Sequence, residues 1–389
     1  MTGRQMRLVH VMTVPESFAF LAGQIGYMQE HGFAVEGVVS PGELFATVAE
    51  RERIPLHPVP MARQITPLKD LVALYRLWAL FRRIRPDIVH AHTPKGGLLG
   101  TIAAWLTRVP VKIYHIHGLP FVTATGPKRA LLRWTERISC LLSDQVLCVS
   151  HSVRNVLIAE QLCSPRKVKV LLGGSSNGVD AEGRFNPDAF DTHTRLSTRA
   201  AYGIPAGATV IGFVGRIVKD KGISELAEAW TKLSGEFPEL HLLVVGPFEP
   251  QDPISATVET LLRSDPRVHL AGRTLDVAPL YSAMDIVVLP TYREGFPNVP
   301  LEAAAMRLPV VATRIPGCTD AVLDGVTGLL VSPRDAAELA AAIRGYVVDE
   351  ELRRRHGSAG RERVLLDFRR PGIWEAVRAE YLRLVGLTK

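Results

Sequence analysis

The sequence predicts an α/β protein built from two doubly wound parallel-sheet domains, and three observations carry that prediction. The chain has 389 residues, too many for one ordinary α/β core and enough for two. Short apolar runs rich in β-branched residues alternate with helix-period segments throughout, as when parallel strands are joined by crossover helices. A polar, glycine-containing stretch, Gly173 to Pro187, interrupts the alternation near the middle. The expected division is residues 1–185, residues 186–370, and a closing segment, 371–389, that follows completion of the second sheet and packs elsewhere, with the first domain as one place for it.

In the first half, strands are expected at Leu8 to Met12, Ala34 to Val39, Ile88 to His92, Val111 to His115 and Gln145 to Val149. Helices fit Phe18 to His31, Leu68 to Ile84, Gly97 to Thr107, Lys128 to Ser143 and Ser152 to Glu160. In the second half, strands are expected at Val210 to Val214, His241 to Val245, Val268 to Ala271, Ile286 to Pro290, Val310 to Thr313 and Gly328 to Val331. Helices fit Ile223 to Leu233, Pro300 to Met306 and the amphipathic Pro371 to Val385. Two such domains are expected to leave a cleft at the carboxyl ends of their strands, so residues just after strands are the functional candidates.

Composition narrows the classes. The longest apolar stretches are about a dozen residues against the roughly 20 that span a bilayer, and the start of the chain has no signal-peptide pattern; the expected location is the cytoplasm. Cys140, Cys148, Cys163 and Cys318 have no metal-ligand or C-x-x-C spacing and read as reduced packing residues. Residues 1–185 carry 22 Lys and Arg against 13 Asp and Glu, the remainder 24 against 26. That asymmetry has two readings, a first half that faces phosphates, lipid or nucleic acid, and a merely solvated basic surface. The helix Leu68 to Arg85, with Arg76, Arg82, Arg83 and Arg85 around Leu71, Trp78 and Phe81, is likewise either an outer sheet-covering helix or a membrane-surface helix.

The strongest motif is Glu294-Gly-Phe-Pro-Asn298-Val-Pro-Leu-Glu302, which follows a buried strand and runs into a helix. Gly295 and Pro297 force a tight turn, and the amides of Phe296, Asn298 and Val299 stand where a helix start receives anions or hydroxyls. Two carboxylates at this spacing address two parts of one extended polar ligand. A second motif, Gly212-Phe-Val-Gly215-Arg216-Ile-Val-Lys-Asp-Lys221-Gly222, closes the first strand of the second half and places two cations before a helix, an arrangement suited to a diphosphate.

Together these motifs resemble those of the retaining glycosyltransferases of family 4, or group 1, whose fold is called GT-B, two Rossmann-like domains. The resemblance covers nearly the whole chain. It implies that Glu294 lies by the donor sugar hydroxyls, Glu302 by the ribose, and that Arg216 and Lys221 neutralise charge on the leaving nucleoside diphosphate without a metal. No D-x-D triplet occurs, in keeping with that; no metal and no cofactor are expected. Gly246 and Arg273, each after a strand, match positions that meet the donor's base and ribose in the family. His117, in His115-Ile-His117-Gly118, matches the family histidine beside the sugar, with His115 a structural strand residue.

The stretch His92-Thr93-Pro-Lys95-Gly96-Gly97 resembles that of bacterial transferases that build polysaccharides and glycans on polyprenyl diphosphate carriers, and Lys95 with the backbone of Gly96 and Gly97 makes a phosphate nest on that reading. The first strand-to-helix loop departs from the family's Gly-Gly and reads Thr13-Val-Pro-Glu16-Ser17, with Ser17 the acceptor-side candidate. The implied partners are a UDP-sugar, with a GDP-sugar as the other choice, and a lipid-linked glycan acceptor at the inner membrane face, with no nucleic acid. Two rivals share the donor motifs. A nucleotide-sugar 2-epimerase would need no acceptor, and a nucleotide-sugar-binding protein would show no turnover.

Overall fold

The computed structural model describes residues 5–387, apart from Arg63, Gln251 and Leu275. The chain forms two compact units, one of residues 1–177 with 370–389 and one of residues 178–369.

The first unit holds a seven-stranded sheet. Its strands are β1 (Met6–Val11), β2 (Phe33–Val39), β3 (Leu56–Pro58), β4 (Ile88–His92), β5 (Val111–Ile116), β6 (Gln145–Cys148) and β7 (Val168–Lys169), in the order β3-β2-β1-β4-β5-β6-β7. Every pairing is parallel. Strands of a covered parallel sheet must be apolar on both faces, which is why they read as continuous apolar runs. Leu8, Ile88, Val111 and Ile113 pack on one face against Phe18, Ile25 and Tyr381. Val9, Val11, Val89 and Ala91 pack on the other against Leu77, Phe81 and Ala103.

The second unit holds β8 (Thr209–Val214), β9 (Leu240–Val245), β10 (Val268–Gly272), β11 (Ile286–Leu289), β12 (Val310–Thr313) and β13 (Gly328–Val331), in the order β10-β9-β8-β11-β12-β13. These pairings are also parallel. Neighbouring residues divide between the faces: Ile211, Phe213 and Leu242 meet Trp230, Leu233 and Tyr346, while Val210, Leu243 and Val245 meet Tyr281, Leu301 and Phe368. In both sheets the order reverses between two central strands, β1 and β4 in the first and β8 and β11 in the second, the switch points where open α/β sheets bind ligands.

The structure departs from the sequence reading in identifiable places. The helix expected over Phe18 to His31 is two pieces, a 3-10 helix Pro15–Leu21 and an α-helix Gln24–Glu30. Gly23 breaks it at φ 81°, and the ring of Trp374 lies 2.8 Å from where a Cβ would stand. The helix expected to begin at Pro300 begins two residues earlier, at Asn298–Ala305, with Pro297 as its cap residue. A helix Phe45–Glu52 and the short strands β3 and β7 were not expected. Their lengths, three and two residues for the strands, give no period to read.

The last helix, Arg370–Leu387, belongs to the first unit. Its Trp374 donates to the Asn177 side chain at 2.6 Å, and its Tyr381 is fully buried beside Phe33.

Candidate functional site

In the second unit the site is built where the loops after β8 and β11 meet. The β8 loop carries Gly215 and Arg216 and passes through a 3-10 turn, Lys219–Lys221, into the helix Ile223–Glu236. The β11 loop carries Glu294 to Pro297 and enters the helix Asn298–Ala305. Because β8 and β11 are hydrogen-bonded neighbours, residues 73 apart in sequence come together: Lys221 Nζ forms an ion pair with Glu294 Oε1. Both side chains are mostly buried, so little solvent screens the pair. The two loops are also tied by the backbone, since the Tyr292 amide and the Thr291 hydroxyl both donate to the Asp220 carbonyl, at 2.8 and 3.0 Å.

Arg216 projects more freely, more than half exposed, and pairs with Glu249 at 2.8 Å. Glu249 was not among the sequence candidates, because nothing in its own neighbourhood marks it. Glu302 accepts a hydrogen bond from the Tyr281 hydroxyl at 2.9 Å. Burial, and after it the Glu302 carboxylate, push the Tyr281 phenol well above its ordinary range, so it stays a donor that fixes Glu302. Gly215 and Gly246 bring two loops together: a Cβ on Gly246 would lie 1.8 Å from the Gly215 carbonyl oxygen. Arg273 is exposed just past the end of β10. The amides of Asn298, Val299 and Leu301 belong to the first turn of their helix, where an α-helix supplies no acceptor of its own. Phe296 turns its ring toward Phe368, 5.4 Å away, and is part of the core's edge.

In the first unit, five histidines gather at the carboxyl ends of β1, β4 and β5. His90 and His92 are two apart on β4, and His115 and His117 two apart at the end of β5, so each pair faces one way. The register sets His10 beside His90 and His92 beside His115. His10 Nδ1 lies 3.0 Å from His92 Nε2, and His92 Nδ1 2.9 Å from His117 Nε2. His90 Nδ1 meets the Tyr381 hydroxyl at 2.6 Å. Desolvation holds His10 at about 3 and His117 at about 4, and drives the other three well below the ordinary histidine range. The cluster is therefore neutral near pH 7. Phe20 stacks on His117 with ring centres 4.8 Å apart. The H-x-H spacings at 90/92 and 115/117 were a signal for this cluster; His10 had none beyond its strand.

The phosphate nest read at Lys95 to Gly97 takes a different form. Lys95 Nζ is held by both carboxylate oxygens of Asp70, at 2.8 and 3.0 Å, and by the Gln64 carbonyl. The Gly96 amide donates to Thr13 Oγ1 at 3.1 Å and the Gly97 amide to the Thr93 carbonyl at 2.7 Å. Gly97 is small because Tyr114 fills its space, with a ring carbon 2.1 Å from the Cβ position. The loop is thus a self-satisfied turn. Its strain lies at Thr93, a β-branched residue at φ 63° whose hydroxyl bonds Thr13 at 2.8 Å; such outliers collect at ligand sites. Ser17 is buried in the 3-10 helix Pro15–Leu21.

Comparison with known proteins places these two sites in context. The domain described as "Glycosyl transferase 4-like" matches residues 19–174, and the domain "Glycosyl transferases group 1" matches residues 208–349. The chain is 34% identical over 378 residues, 97% of each chain, to the capsular polysaccharide biosynthesis glycosyltransferase CapM of Staphylococcus aureus. It is 28% identical over 297 residues, 75% of this chain and 74% of the other, to the UDP-Gal:alpha-D-GlcNAc-diphosphoundecaprenol alpha-1,3-galactosyltransferase of Escherichia coli. Among solved structures, a Rickettsia africae glycosyltransferase superimposes with TM-score 0.80 at 20% identity, covering 98% of this chain and 99% of the other. HepE of Anabaena in complex with UDP-glucose does so with TM-score 0.79 at 22% identity, covering 97% and 99%.

Proposed function

The chain belongs to the group 1 glycosyltransferases, and from that premise we propose that it transfers a sugar, with retention, from a UDP-sugar to a polyprenyl-diphosphate-linked glycan during polysaccharide assembly. The observation that carries the reading is the Lys221–Glu294 pair at the β8/β11 switch point. A diphosphate seated there meets Lys221 and Arg216, while Glu294, held by Lys221, is left to accept hydroxyls of the sugar. Glu302, fixed by Tyr281, takes the ribose; the chemistry of the donor end needs no metal, because the two cations offset the charge that develops on the leaving phosphate. The leaving oxygen takes the acceptor proton as the glycosidic bond forms on the same face. His117, neutral and stacked on Phe20, offers a hydrogen bond to a sugar hydroxyl.

The donor choice follows the relatives, whose names and bound ligands feature UDP-sugars. The acceptor choice has support in the chain itself. The helix Pro67–Ile84 buries Ala73, Leu77, Leu80 and Phe81 on one face, yet also exposes Leu68 (81%), Leu71 (63%) and Tyr75 (66%) beside Lys69, Arg76, Arg82 and Arg83. Apolar residues on a second, cationic face suit an anionic lipid surface. An open hollow of about 560 Å³ beside that face is lined by Met61, Leu68, Val72, Lys69 and Arg76. Among the described residues no helix is long and apolar enough to cross a membrane, so docking would be peripheral.

The test is release of nucleoside diphosphate from UDP-, GDP- and ADP-sugars, with and without polyprenyl-diphosphate-sugar lipids, in EDTA. The expected result is acceptor-dependent, EDTA-resistant release from a UDP-sugar, lowered at least 100-fold in Lys221→Ala and in Glu294→Ala. Release that ignores both substitutions would remove the site from the reaction; release without acceptor would favour hydrolysis instead, and conversion of the nucleotide-sugar with no release would favour epimerisation.

A further inference from the structure

We propose that His92, His115 and His117 form a binding site for one borderline divalent transition-metal ion of the zinc class. One ring nitrogen from each of the three lies within 4.8 Å of one from each of the others. His92 and His115 are buried, and His115 Nδ1 has no hydrogen-bond partner. A buried nitrogen left unpaired is costly, and an ion bound through it would satisfy it. His117 is half-buried and leaves an entry path.

The hydrogen bonds already present pre-arrange the ligands. His92 Nδ1 and His117 Nε2 share one hydrogen at 2.9 Å, and a tetrahedral ion with bonds of about 2.0–2.1 Å holds its nitrogens roughly 3.3 Å apart, so the pair opens by about half an ångström. No proton need leave. Neutral His92 carries its hydrogen on Nε2 and donates it to His10 Nδ1, 3.0 Å away, while the hydrogen that His117 donates from Nε2 to His92 Nδ1 moves to His117 Nδ1 as the ion binds, a change of tautomer with no net loss of a proton. His10 then does what a second layer does in metal sites, receiving the ligand's other N–H and fixing its ring. Three neutral imidazoles with no carboxylate favour zinc, copper or nickel over magnesium or manganese, and the fourth position on the His117 side is left to water or an anion.

The ion has no part in the transfer step proposed above. Its consequence for that step, which alone rests on the proposed function, is inhibition: an ion on His117 Nε2 withdraws that ring from the sugar.

The experiment uses untagged full-length protein stripped with EDTA and dialysed, titrated with Co²⁺ and with Zn²⁺. The expected result is one Co²⁺ per chain with the intense visible absorption of tetrahedral coordination, displaced by Zn²⁺, whose affinity is micromolar or tighter. His115→Ala should lower that affinity at least 100-fold and His10→Ala by roughly 10–100-fold, with thermal melts of both apo variants showing that they fold. His90→Ala should leave it within a few-fold. Binding no tighter than millimolar overturns the proposal, as does binding that survives His115→Ala. Loss in His90→Ala with retention in His115→Ala also overturns it, moving the ion to the neighbouring trio His10, His90 and His92.

Discussion

The two units solve the same problem, presenting polar groups at a sheet switch point, with opposite means. The N-terminal unit gathers five uncharged imidazoles, four of them buried, and three of the five rings, His10, His92 and His117, hydrogen-bond in a chain. The C-terminal unit presents cations and carboxylates already in pairs, Lys221 with Glu294 and Arg216 with Glu249, on loops that stay partly open. Buried neutral groups keep their geometry only while they stay uncharged. Paired charges keep theirs through attractions that salt weakens where a pair is exposed, as Arg216 and Glu249 are. Protons should therefore perturb the first unit and ions the second, and this division can be broken experimentally.

The largest expected effect is acid destabilisation of the N-terminal unit. Burial lowers the folded-state value of His10 to about 3 from 6.5, so the unfolded chain takes up the proton first. Stability from this group is intact above pH 6.5 and is lost as pH falls from there toward 3, by about 5 kcal/mol. Four of the five tryptophans, Trp78, Trp105, Trp134 and Trp374, lie in this unit. Urea unfolding followed by their fluorescence should show the loss, and His10→Phe should shrink it; an unchanged acid slope in the variant would mean that His10 titrates normally.

A smaller effect of opposite sign comes from Glu136 in the same unit. It is buried, accepts from the Tyr114 hydroxyl at 2.9 Å, and desolvation raises it from 4.5 to about 7. Here the folded state holds the proton more tightly. The contribution is complete below pH 4.5 and is lost as pH rises through 7, by about 3–4 kcal/mol. Between pH 4.5 and 6.5 the two groups oppose each other, so only single variants separate them. Glu136→Gln should gain stability at pH 8 relative to the parent and change little at pH 4.5, measured by the same urea titration.

The contrast also explains what could be read from the chain beforehand. The strands and the loops after β8 and β11 were legible because local signals carry them: apolar runs set the strands, and glycine, proline and charge at short spacing set the loops. Ile88 to His92, Val310 to Thr313 and Gly328 to Val331 fall where they were expected. The N-terminal site was less legible, because its order comes from partners far away. Asp70 captures Lys95, Thr13 captures the Gly96 amide, and Tyr381, 291 residues on, reaches His90. Gly23 looked like a helix residue until Trp374 from the last helix lay against it. Short spacing encodes a loop; pairings 25, 83 or 291 residues apart leave no such mark.

The smallest expected effect tests the C-terminal half of the comparison. Arg216 and Glu249 form an ion pair with the arginine more than half exposed, and such pairs contribute little to stability, about 0–1 kcal/mol. Glu249→Ala should therefore leave the unfolding midpoint almost unmoved. It should instead release Arg216 for an anion, tightening nucleoside diphosphate binding a few-fold at low salt, with the gain fading as ionic strength rises past about 0.15 M, where the screening length is about 8 Å. Calorimetric titration of the nucleotide into parent and variant at two salt concentrations reads this directly. A gain independent of salt would point to a shape change in the β8 loop, and a loss of binding would mean that Glu249 positions Arg216 for the phosphates instead of competing with them.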